Sequence, residues 1–188
     1  TLPPGVSLNA PGNAIPSGHI FPGFFAGFLG TAFDPMFIAE NPAGSRFEPL
    51  PIARDQQPER WRDRRALLRQ LDRWRAAVDV SEAIRATDHY RDKAMHLMSS
   101  PAALDAFDLA REPAERRERF GPTPFGQGCL LARRLVEAGV RLVTVNWARD
   151  YQAVVADHWD THRDNFRLHR DRLLPAFDQG YSALLADL

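Results

Sequence analysis

The sequence predicts an α/β protein that is mostly helical, with at least one buried parallel strand. Apolar residues in the middle of the chain recur at helical spacing, whereas "VRLVTVNW" has the continuous β-branched composition of a buried strand. The last third follows the order helix, strand, loop, helix. That order is typical of a parallel sheet covered by helices.

The composition is that of one partial or complete globular domain. The chain has 188 residues, of which 44% are hydrophobic and 26% charged. Its formal net charge is zero, which leaves no electrostatic footprint for nucleic acid. No stretch is apolar for long enough to cross a bilayer. Every basic residue except Lys93 is an arginine, which suits either anion recognition or ion pairs on solvated helix faces.

Residues 1–57 are predicted to be a loop-rich segment. Their apolar centre, "FPGFFAGFLGTAFDPMF", interleaves aromatic residues with glycine and proline, which disfavours a stable helix. The first residues lack the charged and apolar regions of a signal peptide. Because the chain begins on Thr1 and stops within the amphipathic run "SALLADL", we expect an interior fragment of a longer protein.

Residues 58–120 are predicted to form a helical layer. Pro58 suits a first helical turn, and the residues after it place four apolar side chains on one face: Leu67, Leu71, Trp74 and Val78. A second helix is predicted over residues 81–99. Pro101 and Pro113 are predicted to begin two shorter helices, the second of which ends near Gly121. No chemistry is visible in this layer.

Residues 125–188 are predicted to form the core of the fragment. The run "GQGCLLARRLVEAGV" reads as a helix closed by Gly139, and a buried strand is predicted over residues 140–146. A loop follows, and then a helix from about Asn165 to the end with a kink at Pro175. Cys129, the only cysteine, lies near a helix start that would favour a thiolate, but its apolar neighbours favour inert packing.

The loop after the predicted strand contains "HWDTHRDNF". Ligands of α/β sheets bind outside the carboxyl ends of the strands, and imidazole with carboxylate suits Zn²⁺ or Mn²⁺. Asp160 and His162 are therefore candidate metal ligands, and His158 is a candidate ligand or proton donor. The alternative is that Asp160 or Thr161 caps the following helix. The residues alone leave both interpretations open, and Trp159 is expected to pack.

Several stretches together resemble the family called domain of unknown function 1501, from about Gly23 to Leu188. They include "GFLGTAFDPM", "FGQGCLLARRLVEAGVRLVTVNW" and "WDTHRDNF". That family is bacterial, typically exported, and similar to the sulfatase and alkaline phosphatase superfamily. The resemblance implies a three-layer sandwich, a periplasmic or secreted location, and a divalent metal ion such as Zn²⁺, Mn²⁺ or Ca²⁺. The superfamily usually has three residues between its metal-binding Asp and His, whereas only Thr161 separates Asp160 from His162.

The function implied by the resemblance is metal-dependent hydrolysis of a phosphate or sulfate ester, carried by a small molecule or a glycan. Members of the family have a glycine-rich "GGPSH"-like segment upstream, where the superfamily nucleophile would lie, and further acidic and histidine motifs downstream. Neither occurs in residues 1–188, so we expect this fragment to be inactive by itself. The alternative is a non-catalytic cell-surface binding or assembly protein that keeps the fold.

Overall fold

The structure, a computed structural model, describes residues 3, 5–8, 23–30, 33–44, 47, 63, 66–67, 100–147, 159 and 161–188. The two helices predicted over residues 58–99 therefore lie outside the described residues. The exceptions in that range are Asp63, Ala66 and Leu67, which are helical as expected.

Three strands form a parallel sheet in the order β2-β1-β3. Strand β1 spans Gly5–Leu8, β2 spans Met36–Ile38 and β3 spans Leu142–Val145. Leu8 in β1 lies opposite Ile38 on one side and Val145 on the other. The predicted α/β class with a parallel strand in "VRLVTVNW" is confirmed.

The expectation that residues 1–57 are loop-rich is wrong at two places, because this segment supplies β1 and β2. All four residues of β1 are buried, and β1 is the central strand of the sheet. The two strands have four and three residues. Runs this short are easily lost among prolines and glycines, because a period of two cannot be recognised over so few positions.

Strand β3 is not buried on both faces as predicted. Leu142 is 64% exposed and Thr144 is also exposed, whereas Val143 and Val145 are half-buried and pack against the core. The composition of the run could not reveal this difference, because a strand with one covered face can carry apolar residues on both faces. The predicted strand is therefore correct, but its complete burial is not.

The helices that follow begin where the prolines predict. Helix α1 spans Pro101–Phe107, α2 spans Ala114–Phe120 and α3 spans Pro124–Glu137, with a 3-10 turn at Leu109–Arg111 between α1 and α2. The Thr123 hydroxyl caps α3 by accepting the Gly126 N–H at 3.1 Å. Gly139 follows α3 at φ +102°, which confirms its predicted role at the helix end.

The C-terminal helix is interrupted. Helix α4 spans Asn165–Leu168, a π-helical stretch spans His169–Leu173, and α5 spans Leu174–Asp187. Pro175 lies in the first turn of α5. A kink was predicted at Pro175, and the structure has a widened turn directly before the proline. Proline has no backbone N–H to donate to the preceding turn, and a widened turn is one way in which a helix accommodates that missing hydrogen bond.

The helices cover one face of the sheet. The core there is built from the sheet residues Val6, Leu8 and Ile38 together with apolar residues of the helices, among them Phe107, Phe120, Leu130, Leu131, Leu135 and Ala183. Helices α3 and α5 approach closely at Gly126 and Gly180. A Cβ added at Gly180 would lie 2.9 Å from the Gly126 Cα, so a side chain at this crossing would force the helices apart.

The opposite face of the sheet borders a cavity of about 460 Å³. Sheet residues Gly5, Ser7, Leu142 and Thr144 line it from below, and the segment around Phe24 and Phe25 lines it from above. The segment contains a 3-10 turn at Gly27–Leu29. This arrangement gives the sheet two different faces, one packed by helices and one facing a cavity.

A buried carboxylate joins the helices on the packed side. Glu112 accepts a hydrogen bond from Arg116 at 2.8 Å and pairs with Arg134, while Arg133 lies 3.7 Å away. Arg134 also donates to the backbone carbonyl of Ala106 at 3.0 Å. Burial alone would raise the pKa of the Glu112 carboxyl, but the hydrogen bonds and charges of Arg116 and Arg134 bring that pKa below its ordinary value. These arginines therefore form ion pairs within the fold.

Candidate functional site

The carboxyl ends of β1 and β3 are joined by Asn146. Its backbone N–H donates to the Leu8 carbonyl at 3.0 Å. Its side-chain amide donates to the same carbonyl at 2.8 Å and to the Ser7 hydroxyl at 2.9 Å. The chain leaves β1 toward β2 on one side and returns to β3 on the other. This edge is therefore a topological switch point, where α/β sheets bind ligands.

Six rings form a cluster beside this edge, which we call the aromatic cluster: Phe125, Trp147, Trp159, His169, Phe177 and Tyr181. Trp147 follows Asn146 and contacts Phe125 in the first turn of α3, with ring centroids 5.2 Å apart. Trp159 meets Trp147 edge-on at 5.1 Å. Trp159 therefore packs as predicted, and it anchors the candidate loop to the carboxyl edge of the sheet.

The turn that follows Trp159 contains a buried hydroxyl. Thr161 is 4% exposed, and its Oγ1 is buried without a hydrogen-bond partner. His162 and Asp164 have φ angles of 35° and 50°, a region that side chains other than glycine rarely adopt. Buried hydroxyls are normally paired and unusual backbone angles tend to cluster at functional sites. The Thr161–Asp164 turn therefore combines two features that are typical of functional sites, and it lies beside the sheet edge.

His169 connects the π-helical stretch to the loop. Its Nδ1 lies 2.9 Å from the Asn165 carbonyl oxygen, and because a carbonyl only accepts, Nδ1 carries the proton. Its ring centroid lies 5.5 Å from that of Trp159. A histidine fixed in this way keeps Nε2 as an acceptor when the ring is neutral. Sequence reasoning missed this residue, because its role depends on the helix geometry.

The predicted metal ligands are described only in part. His162 is exposed on the turn beside the sheet edge, whereas His158 and Asp160 lie outside the described residues. Within the part of the chain that the structure describes, no three His, Cys, Asp or Glu side chains are grouped for metal binding. The metal interpretation thus remains a prediction.

The alternative role as a helix cap is wrong for Thr161, whereas Asp160 lies outside the described residues. The N-cap of α4 is Asp164, which is in a left-handed conformation and whose side chain does not cap the backbone N–H groups of the helix. The helix begins at Asn165, as predicted. Its first residue is therefore too far along the chain for Thr161 to satisfy the N–H groups of the first turn.

Two further predictions concern the thiol of Cys129 and membrane-spanning helices. Cys129 is buried in the core, which confirms that it packs. Burial raises the pKa of its thiol to about 11, which disfavours the reactive thiolate. Among the described residues, no helix combines the length and the apolar character needed to cross a bilayer.

Comparisons with known proteins bear on the family. Neither a search of curated proteins nor a search of solved structures found a match to this chain. A family model described as "Protein of unknown function (DUF1501)" matches residues 1–188. The resemblance of the chain to that family is confirmed. The chain therefore belongs to the DUF1501 family.

Proposed function

We propose that this chain is part of a sulfatase-like α/β hydrolase that cleaves a phosphate or sulfate ester with the help of a divalent cation. The observation that carries the proposal is the position of the Thr161–Asp164 turn. It lies beside the carboxyl edge of a parallel sheet at its switch point, which is where such chemistry is built in α/β proteins.

The donor chemistry of the loop fits a divalent cation. Two imidazoles and a carboxylate occur within five residues, at His158, Asp160 and His162, and these are ligands that Zn²⁺ and Mn²⁺ accept. The Thr161 hydroxyl adds an oxygen that has no partner. When bound, a divalent cation would polarise the ester oxygen as a Lewis acid.

Residues of this chain would bind the cation, donate a proton and position the loop. Asp160 and His162 would hold the cation, and His158 would be a further ligand or a proton donor to the leaving alcohol. The aromatic cluster keeps the loop against the sheet through Trp159 and Trp147. The nucleophile is proposed to lie outside residues 1–188, because the loop offers only Thr161, whose neighbours would both be ligands.

Metal binding tests this proposal directly. Equilibrium dialysis of the 188-residue chain against Zn²⁺, Mn²⁺ and Ca²⁺ is expected to show about one bound ion, with an affinity that falls at least about tenfold in His162→Ala and Asp160→Asn. His89→Ala serves as a control for the loss of an imidazole elsewhere in the sequence. Binding that is absent, or that is equal in all variants, would rule the metal site out.

Activity provides the second test. The 188-residue chain is expected not to hydrolyse 4-nitrophenyl phosphate or sulfate with any of these ions. A longer form of the protein that includes its flanking segments is expected to be active and to lose activity in His162→Ala. Metal-dependent turnover by the 188-residue chain that disappears in Thr161→Ala would place the nucleophile within the loop and contradict the proposal.

A second candidate function is a non-catalytic surface protein that binds or assembles with others. It is favoured by large apolar side chains that are open to solvent, because Phe28 is 98% exposed and Phe166 is 92% exposed. The two candidates differ in the dialysis experiment, since a binding protein of this kind needs no metal ion in the loop.

A further inference from the structure

A stack of three rings begins at Phe125 on α3, continues on α5 and ends at the surface. Phe125 and Phe177 are stacked with centroids 5.4 Å apart and an interplanar angle of 25°. Phe177 and Tyr181 continue the stack at 5.2 Å and 20°. Phe177 is half-buried, whereas Tyr181 is 45% exposed. Tyr181 is therefore the outermost ring of an ordered stack, with part of its surface open to solvent.

Polar groups border this exposed ring. Asp178 is exposed on α5 and precedes Tyr181 by three residues, so the two are neighbours on the helix surface. A flat ring beside a carboxylate offers an apolar face and a hydrogen-bond acceptor side by side. A sugar ring has the complementary chemistry, because its C–H face packs on an aromatic ring while its hydroxyl groups donate at its edge.

The charges on this helix favour an uncharged part of the ligand at Tyr181, because the exposed Asp178 carboxylate beside it would repel an anionic group. Arg167 pairs with Asp164 at 2.8 Å, and Arg170 pairs with Asp171 at 2.6 Å. These arginines are thus compensated by acids on the same segment. As paired groups, they attract an anionic ligand to this helix less than free arginines would.

The stack also leads to the candidate loop. Trp159 meets Phe177 edge-on at 5.9 Å, and Phe177 meets Tyr181 at 5.2 Å. Two ring-to-ring steps therefore separate Tyr181 from the loop. This span suits a chain of two or three sugar rings, one end of which reaches the loop while another ring lies on Tyr181.

We propose that Tyr181 and Asp178 form a carbohydrate subsite that holds an uncharged sugar ring of an oligosaccharide. Its relation to ester hydrolysis rests on the proposed function, in which the loop acts on a glycan ester. Binding at the subsite itself requires neither the cation nor the nucleophile. The sugar is held by contact with the ring face and by hydrogen bonds to the carboxylate.

The test is binding of uncharged hexasaccharides built from glucose, galactose or N-acetylglucosamine, measured by calorimetry and tryptophan fluorescence in the presence of a metal chelator. We expect at least one hexasaccharide to bind the 188-residue chain. We expect Tyr181→Ala to weaken that binding about tenfold, equivalent to about 1.4 kcal/mol, and Asp178→Asn to weaken it severalfold. Tyr181→Phe keeps the ring and should retain most of the affinity.

Phe166→Ala is the matched control, because Phe166 is 92% exposed on α4 and is not a member of the aromatic cluster. Its affinity should stay within about twofold of the original. If Tyr181→Ala does not fold, Tyr181→Leu removes the flat ring and keeps an apolar side chain. The proposal is overturned if no hexasaccharide binds, if both Tyr181 variants bind normally, or if only 4-nitrophenyl sulfate binds. If a hexasaccharide binds but no longer form of the protein hydrolyses phosphate or sulfate esters, the proposed function alone is contradicted.

Discussion

At Thr161 the side chain that suits the proposed chemistry is not the one that would make the fold most stable. Its hydroxyl is buried and has no hydrogen-bond partner, which costs free energy because the group has lost its contact with water. A group of this kind contributes nothing to stability as it stands. A ligand that hydrogen-bonds to the Thr161 hydroxyl would explain why the hydroxyl is there. Its cost to the free energy of unfolding can be measured by substitution.

Replacing Thr161 by the isosteric valine is expected to raise the free energy of unfolding by about 1 kcal/mol, because an unpaired buried hydroxyl becomes a methyl group. Thr123→Val is the matched control. The Thr123 hydroxyl accepts the Gly126 N–H at the start of α3, so its removal should lower stability by about 1 kcal/mol. Urea denaturation measures both. Equal losses in the two variants would show that Thr161 has a partner.

Cys129 gives a prediction about reactivity and alkaline pH. Its buried thiol, with a pKa of about 11, should react with a disulfide reagent only when the chain unfolds. Because the folded pKa exceeds the ordinary value of 9.0, the contribution of this residue to stability is complete below pH 9 and is lost as pH rises toward 11. Rapid labelling of the native chain at pH 8 would contradict the structure.

At the scale of elements, α3 organises the packed side of the sheet. Its first turn carries Phe125 of the aromatic cluster and also crosses α5, where Gly126 meets Gly180. Its later turns carry the arginines that meet Glu112. The close crossing of α3 and α5 sets the separation at which Phe125 and Phe177 stack. Ion pairing at Glu112 fixes the same helix to α2. The geometry of the candidate subsite therefore depends on packing at a distance from it.

Glu112→Gln is expected to lower the free energy of unfolding by about 2–3 kcal/mol at neutral pH, since it removes the carboxylate that pairs with Arg134, whose side chain is only 13% exposed. The folded pKa of Glu112 lies below its ordinary value of 4.5. Its stabilising effect is therefore present above about that pH and is lost as pH falls through the folded pKa.

The measurement is the free energy of unfolding between pH 3 and pH 7. The original chain should lose stability more steeply toward acid than the Glu112→Gln variant. Glu115→Gln, at an exposed carboxylate on α2, should change stability by less than about 0.5 kcal/mol. A slope at acid pH that is the same with and without Glu112 would show that its ion pairs contribute nothing.

At the scale of the whole molecule, the sheet depends on its first strand. Leu8 in β1 is completely buried, whereas Leu142 in β3 is 64% exposed, although the two strands are paired. Leu8→Ala should lower the free energy of unfolding by about 2–5 kcal/mol through the cavity it creates. Leu142→Ala should cost less than about 1 kcal/mol. Similar losses at both positions, measured by urea denaturation, would contradict the assignment of β1 as the central strand.

The sequence predicted those parts of the fold that rest on local chemistry. Pro101, Pro113 and Gly139 mark helix ends because their backbone preferences act within one turn, and "VRLVTVNW" contains enough β-branched residues to indicate a strand. Strand β1 was missed because "GVSL" has no local signal, and its burial comes from β3, far along the chain. The candidate site divides in the same way. The loop was predicted from its residue types, whereas the roles of Asn146, His169 and Tyr181 depend on contacts that only the fold creates.

The position of β1 between β2 and β3 has a consequence for biosynthesis. Ser7 and Asn146, which join β1 to β3 by a hydrogen bond, are 139 residues apart in the chain. At a synthesis rate of about 5–20 residues per second, the ribosome needs on the order of ten seconds to make the segment between them. Strand β2 can pair with one edge of β1 early, but the other edge stays open until β3, at Leu142–Val145, has emerged. Because an exposed strand edge promotes aggregation, we expect the nascent chain to bind a chaperone at the ribosome exit during this time.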